Sequence, residues 1–334
     1  MTIMKKISTS ILLLCAVFAV SCSSDVTAPR EPENEAPVPI VLSAGMSLQS
    51  ETRGAGMIDQ NYADNLGVNF LLLEQNASTG AYPADYSGFS AGSQIPATRS
   101  GGSGSTAVNF DSGSERYYPV RDTNNKVKLI GWYPRVDGTV VTLSSGVLTF
   151  TIDGSTDVML TSEVEGSKAT GDKFSDSGKE FTFSHLLTQF RIKAYAVDAA
   201  AVASWGTLTD IQVKSQLPRC TVTLPATVGF DGSAANLALV KKVVTTNADI
   251  TYPLTLPLAA TDCGYAMVPP VTSPTVLTLV VTTEKGGTRD VPLTVQNYEK
   301  SKAYEVSLKF TAGAITASAQ IGAWTPVPVS DIEL

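Results

Sequence analysis

Val38, Ile40, Leu42, Ala44, Met46 and Leu48 occupy every second position, with mostly small or polar residues between them. An extended strand sends successive side chains to opposite faces, whereas a helix repeats every 3.6 residues. Six matches to a period of two therefore demand a half-buried strand. The same period recurs along the chain. Leu148, Phe150 and Ile152 mark one strand, and Phe181, Phe183 and His185 begin another. That run changes phase at Leu186-Leu187 before continuing as Phe190, Ile192 and Ala194, the pattern of a bulge. Leu277, Leu279 and Val281 lead through Glu284-Lys285-Gly286-Gly287 to Val291, Leu293 and Val295, a hairpin with a glycine turn. Tyr304, Val306, Leu308 and Phe310, then Ile315, Ala317, Ala319 and Ile321, form the last strands. Only Asp198–Ser204 and Ser233–Val244 admit short helices. Many short strands between Gly, Pro, Ser and Asp turns predict an all-β chain of β-sandwiches.

The first residues read differently. Lys5 and Lys6 precede an apolar run, Ile11 to Val20, too short to span a bilayer, and Ala19-Val20-Ser21 then sets small residues before Cys22. This predicts a secretory signal over residues 1–21. The run resembles a bacterial lipobox, with Ala19 where Leu is commoner, and that resemblance implies acylation of Cys22 and a membrane partner reached through lipid. Ordinary signal cleavage, leaving Cys22 as a free thiol, is the other reading. Residues 22–36 are polar, acidic and proline-bearing, as expected of a tether. Two stretches lack periodicity. Ser87–Ser105 is rich in Ser and Gly and predicts an exposed loop carrying Arg99. Thr161–Lys179 is polar and glycine-bearing, which places an N-terminal sandwich at 37–170 and a C-terminal one at 171–334.

Composition excludes several function classes. Lys5 and Lys6 leave with the signal, so 22 of the 24 basic residues remain against 31 acidic ones, a net charge of −9. Such a chain is repelled by phosphate backbones, and no nucleic-acid partner is expected. A hydrolase needs a nucleophile and a positioned base. His185, the only histidine, shares a face with Phe181 and Phe183, which predicts a buried structural residue hydrogen-bonded to backbone. Gly101-Gly102-Ser103-Gly104-Ser105 fails at the last position of a Gly-x-Ser-x-Gly elbow, and no phosphate-binding loop or zinc-ligand spacing occurs. Asp122-Thr123-Asn124-Asn125 lacks the downstream residues of a calcium loop and reads as a turn. No catalytic residue, metal or cofactor is expected. Cys220 and Cys263 remain in a chain bound for an oxidising compartment. They either form a disulfide or stand as buried thiols.

Several segments, taken in order, resemble the fimbrillin family, the pilin-like lipoproteins of Bacteroidota. Val38–Leu48 followed by Glu51-Thr52-Arg53-Gly54 is similar to the family's opening strand and Glu-Thr-Arg signature, with Gly54 replacing the commoner Ala. Tyr117-Tyr118-Pro119-Val120 and Ile130-Gly131-Trp132-Tyr133-Pro134 resemble its tyrosine-proline stretch. Asp157-Val158-Met159-Leu160 resembles its Asp-Leu-Met element, with Val before Met159. Phe181-x-Phe183-x-His185-Leu186-Leu187, Ala266-Met267-Val268-Pro269-Pro270, and Ile315–Ile321 with Trp324 match the remaining pieces. The pieces follow one another across nearly the whole mature chain.

The resemblance implies two tandem transthyretin-like Greek-key β-sandwich domains and a structural subunit of surface fimbriae that supports adhesion. It implies export as a lipoprotein to the outer membrane and cell surface, with other fimbrial subunits and a trypsin-like surface protease as partners. Carried over by position, the protease cuts after Arg53, with Arg30 and Arg99 as competing sites. The displaced strand is Val38, Ile40, Leu42, Ala44, Met46 and Leu48. The donor lies within Ile315–Leu334, either as Ile315–Ile321 or as the tail with Val327, Val329, Ile332 and Leu334. Strand addition supplies backbone hydrogen bonds and puts alternate side chains into the acceptor core. Two alternatives stand beside this. One is a monomeric surface lipoprotein that binds glycan or a host ligand on exposed aromatics such as Trp132, Trp205 and Tyr117-Tyr118. The other is a fimbrial anchor or tip subunit.

Overall fold

The computed structural model describes residues 36–47, 58–60, 62–120, 125–135, 141–271, 275–295 and 297–322. Cys22, Arg30, Leu48, Arg53, Asp122–Asn124, Trp324 and the tail residues Val327, Val329, Ile332 and Leu334 lie outside them. The first half forms β1 (Leu42–Met46), β2 (Leu66–Glu74), β3 (Ile95–Arg99), β4 (Thr106–Phe110) and β5 (Val127–Tyr133). A hairpin follows, β6 (Val141–Ser144) and β7 (Val147–Thr151), then β8 (Met159–Leu160), β9 (Val164–Gly166) and β10 (Phe181–His185). Next come β11 (Thr188–Ala196), α1 (Ala199–Trp205), β12 (Thr207–Gln216), β13 (Arg219–Thr223), β14 (Thr227–Asp231), β15 (Ala235–Ala238) and β16 (Leu254–Thr255). The chain ends on β17 (Thr261–Val268), β18 (Thr275–Thr283), β19 (Gly287–Val295), β20 (Ala303–Phe310) and β21 (Ile315–Gly322). The fold is all-β.

One sheet runs β2-β3-β4-β1-β10-β8-β5-β9, and β2 also pairs with β5, so it closes on itself. Closure removes the free edges at which strands pair promiscuously. Inside lies an apolar core that includes Leu66, Val68, Phe70, Ile95, Val108, Leu129, Phe181 and Phe183. Phe70 sits edge-on to Phe181, with ring centroids 5.2 Å apart. Its ring leaves no room on β5, because a Cβ at Gly131 would lie 2.6 Å from it. β2 and β5 are buried on both faces. Leu71, Leu73, Ile130 and Trp132 point the other way, into a second core. Two-sided burial explains why apolar residues stand at consecutive positions in both strands, Phe70–Leu73 and Leu129–Ile130, rather than in alternation.

Three further sheets surround that second core: β17-β11-β20-β21, β15-β12-β18-β19 and β14-β13-β7-β6. The β18–β19 hairpin forms in the register the alternation sets, with Leu279 opposite Val291 and Leu277 opposite Leu293. Strand pairings run across the expected boundary at residues 170 and 171. β10 pairs with β1, and β7 pairs with β13.

Three local expectations are corrected. The phase change at Leu186-Leu187 is no bulge: β10 ends at His185 in the first sheet and β11 starts at Thr188 in another. The stretch around Arg99 is not all loop, since it contains a 3-10 turn, Ala91–Ser93, and β3. Ser233–Val244 is not a helix but contains β15. The other helix forms as α1, capped by Asp198, whose carboxylate accepts from the Ala201 amide at 2.7 Å.

Candidate functional site

β1 lies between two neighbours. It runs antiparallel to β4, with Leu42 opposite Val108 and Ala44 opposite Thr106. It runs parallel to β10, with Ala44 opposite Phe181 and Met46 opposite Phe183. Pairing extends past the strand at both ends. The Ile40 amide donates to Arg116 O at 2.8 Å, the Tyr118 amide to Val38 O at 3.0 Å, and the Ser47 amide to Phe183 O at 2.8 Å. Ile40, Leu42, Ala44 and Met46 are buried in the first core, Val38 packs against it, and Val41 between them is 55 % exposed. The alternation thus resolves into a plug face and a solvent face. Burying Ile40, Leu42 and Met46 contributes about 1.5–3 kcal/mol each, on the order of 5–9 kcal/mol together. That rivals the whole stability of a typical domain, about 5–15 kcal/mol.

Aromatic side chains pack beside the slot. Tyr118 stacks on Phe174, 5.8 Å between centroids, and its hydroxyl accepts from the Phe174 amide at 2.7 Å. Burial pushes the Tyr118 phenol up to about 12. Tyr118, Trp132 and Trp205 are all buried, and the Trp205 indole donates to Thr311 O at 2.6 Å. Of the aromatics proposed as a stacking platform only Tyr117 is exposed. These side chains build cores instead.

Arg99 lies inside the first core, fully buried at the end of β3. Its Nε donates to Ala44 O of β1 at 3.0 Å, and Nη1 to Ser100 O at 3.1 Å. Nη2 donates to Gly102 O at 3.1 Å and Gly104 O at 2.9 Å. Burial pulls its pKa below the ordinary arginine value. A guanidinium held this way inside the core is not presented to a protease, which weighs against Arg99 as a competing cut. Sequence analysis missed this role. The signal was Ile95-x-Ala97-x-Arg99, a period of two ending on a charge.

His185 is buried as its phase required, and one ring nitrogen meets a side chain. Nδ1 lies 2.6 Å from Asp157 Oδ2. A carboxylate oxygen accepts, so the ring N–H donates. The histidine's own carbonyl accepts from Ser301 Oγ at 2.6 Å. No spacing rule links Asp157 to His185, because they meet only through the β8–β10 pairing, in which His185 faces Met159. Cys220 and Cys263 are free, buried thiols, so no disulfide joins them. Burial pushes both thiols up to about 12, which makes them poor nucleophiles. Among the described residues no group of three or more His, Cys, Asp or Glu side chains could hold a metal ion.

The fold is thus an all-β one in which the first strand of a closed sheet also fills its apolar core. The chain belongs to the fimbrillin-like family, whose profile matches residues 57–324. No curated protein sequence matches it. Among solved structures it is similar to a candidate cell adhesion protein from Bacteroides uniformis. That pair shares 16 % identity and a TM-score of 0.59, covering 88 % of this chain and 100 % of the other. A tip fimbrial protein from Porphyromonas gingivalis, solved with a C-terminal truncation, is also similar. It shares 12 % identity and a TM-score of 0.45, with 86 % of this chain and 100 % of the other covered.

Proposed function

We propose that the protein is a structural subunit of surface fimbriae that assembles by exchange of its first strand. It reaches the cell surface as a lipoprotein anchored through Cys22. A trypsin-like protease cuts after Arg53, β1 leaves, and an extended segment of a neighbouring subunit fills the slot. The donor is the tail with Val327, Val329, Ile332 and Leu334. In this reading two transthyretin-like sandwiches lie in tandem, with β10 completing the first and the β6–β7 hairpin joining the second, so that the division does not fall at residues 170 and 171. Membership of the fimbrillin-like family supports the subunit role.

The observation that carries the exchange is the position of β1. It occupies a place between β4 and β10 while filling the core with Ile40, Leu42, Ala44 and Met46. Its loss converts a closed sheet into an open one with two unpaired edges and an apolar groove. Soluble proteins seldom leave such surface uncovered, and extended peptides bind it by strand addition. The choice of the tail over Ile315–Ile321 follows from pairing, since β21 is bonded to β20 from Ala303–Gly322 through Phe310–Ile315.

The test is trypsin treatment of the purified chain and of two variants. Wild type forms SDS-resistant ladders. Arg53→Ala stays uncut and monomeric. Deletion of Val327–Leu334 gives a chain that is cut but does not polymerise. A deletion variant that still forms ladders removes the tail from the mechanism, and an uncleaved wild type removes Arg53.

A further inference from the structure

Arg99 is a buried cation that spends four of its five N–H groups on main-chain carbonyls, with no carboxylate among its hydrogen-bond partners. Three of those carbonyls belong to its own loop, Ser100, Gly102 and Gly104. The fourth belongs to β1. The loop itself is held from behind. Gly102 and Gly104 amides donate to Tyr62 O at 2.9 Å and Gln60 O at 2.8 Å, and the Gly101 amide to Asn65 Oδ1 at 3.1 Å. A Cβ at Gly101 would lie 1.8 Å from Ala63 O, so the loop packs directly on that backbone. The guanidinium is therefore fixed on three sides by the body of the protein and completed on the fourth by the strand in the slot.

The contact falls on the one small residue of the plug face. Ile40, Leu42 and Met46 are bulky, while Ala44, whose carbonyl accepts from Arg99, carries only a methyl group and is fully buried. A strand shifted by one residue turns its plugs to solvent. A strand shifted by two keeps its faces and offers a carbonyl, but puts the larger Leu42 or Met46 at the fully buried position of Ala44. A strand that excludes water yet brings no carbonyl leaves a buried charged donor unpaired, which is strongly unfavourable.

We propose that Arg99 is the specificity-determining residue of the slot, admitting an extended strand of a second subunit only when it carries a small side chain and a main-chain carbonyl at the position of Ala44. This rests on the strand-exchange reading above and adds the rule by which strands are chosen and set in register.

The experiment cuts the full chain between β1 and β2 and follows capture of labelled synthetic peptides spanning residues 37–48. Wild type binds the native peptide roughly tenfold or more tightly than an Ala44→Leu peptide. It also binds it roughly tenfold more tightly than one carrying an ester after Ala44, which weakens the carbonyl acceptor. In Arg99→Ala protein the Ala44→Leu peptide becomes the better ligand and the ester penalty shrinks. Any loss from removing the Gly45 amide is common to both proteins and cancels in the cycle. Should the variant fail to fold, the Nε–H resonance of Arg99 in wild type serves instead, shifting between amide and ester peptides. Equal preference in both proteins, an unmoved Nε–H resonance, or no capture by wild type overturns the proposal. Arg99-dependent capture without ladders from full-length protein upholds the slot rule and overturns subunit exchange, so the two readings fail separately.

Discussion

The first and last described strands make opposite use of one pattern. β1 and β21 both alternate, both carry alanine on the inward face, and neither contains a charge. β1 is inserted between two strands, and Ile40, Leu42, Ala44 and Met46 are buried. β21 pairs with β20 alone at the edge of its sheet, and Ile315, Ala317 and Ala319 are only half-buried against the second core. Losing β21 would strip an edge; losing β1 opens a closed sheet. The alternation specifies a strand and its buried face, while topology decides what its removal does.

The largest expected contrast comes from one charge placed on each strand. Leu42→Asp buries a carboxylate among Phe181, Val108 and their neighbours and should destabilise by about 4 kcal/mol or more. Ala317→Asp on the edge strand should cost about 1–2 kcal/mol, because water reaches that side chain. Denaturant titration of both variants checks this, and equal losses would break the comparison.

His185→Ala comes next. It removes one partner of a buried pair and leaves the Asp157 carboxylate without its imidazole, an expected loss of about 3–5 kcal/mol. Calorimetry reads that loss, and an unchanged melting temperature would show the pair to be dispensable. The smallest effect is a null that sharpens the contrast. Cys220 and Cys263 belong to the second core. With both thiols pushed up to about 12 they stay protonated and unreactive toward alkylating reagents at pH 8. They should remain so after β1 has been released. Labelling on release would mean that the second core opens with the first.

How much of this was legible in the sequence depends on the range of the interaction. β1, the β18–β19 hairpin and the β20–β21 pair could be read directly, because alternation and turn residues are local. β2 and β5 hid because each faces two cores, which puts apolar residues on both faces and breaks the alternation. The phase change at Leu186-Leu187 was visible, but a bulge and a crossing between sheets give the same pattern. Arg99 was assigned to a loop because Ser and Gly around it outweighed three alternating positions. Closure of the first sheet through β2 and β5, and the meeting of Asp157 with His185, join residues dozens of positions apart, where spacing carries no information.

The central claim is that β1 is a removable plug whose place another subunit's strand takes. Its most direct test is to cleave the purified chain, isolate the SDS-resistant assemblies, and search them by mass spectrometry for the peptide containing Leu42. The account predicts ladders from which that peptide is absent. Ladders that retain it, or its loss with only unfolded monomer left behind, would contradict the account.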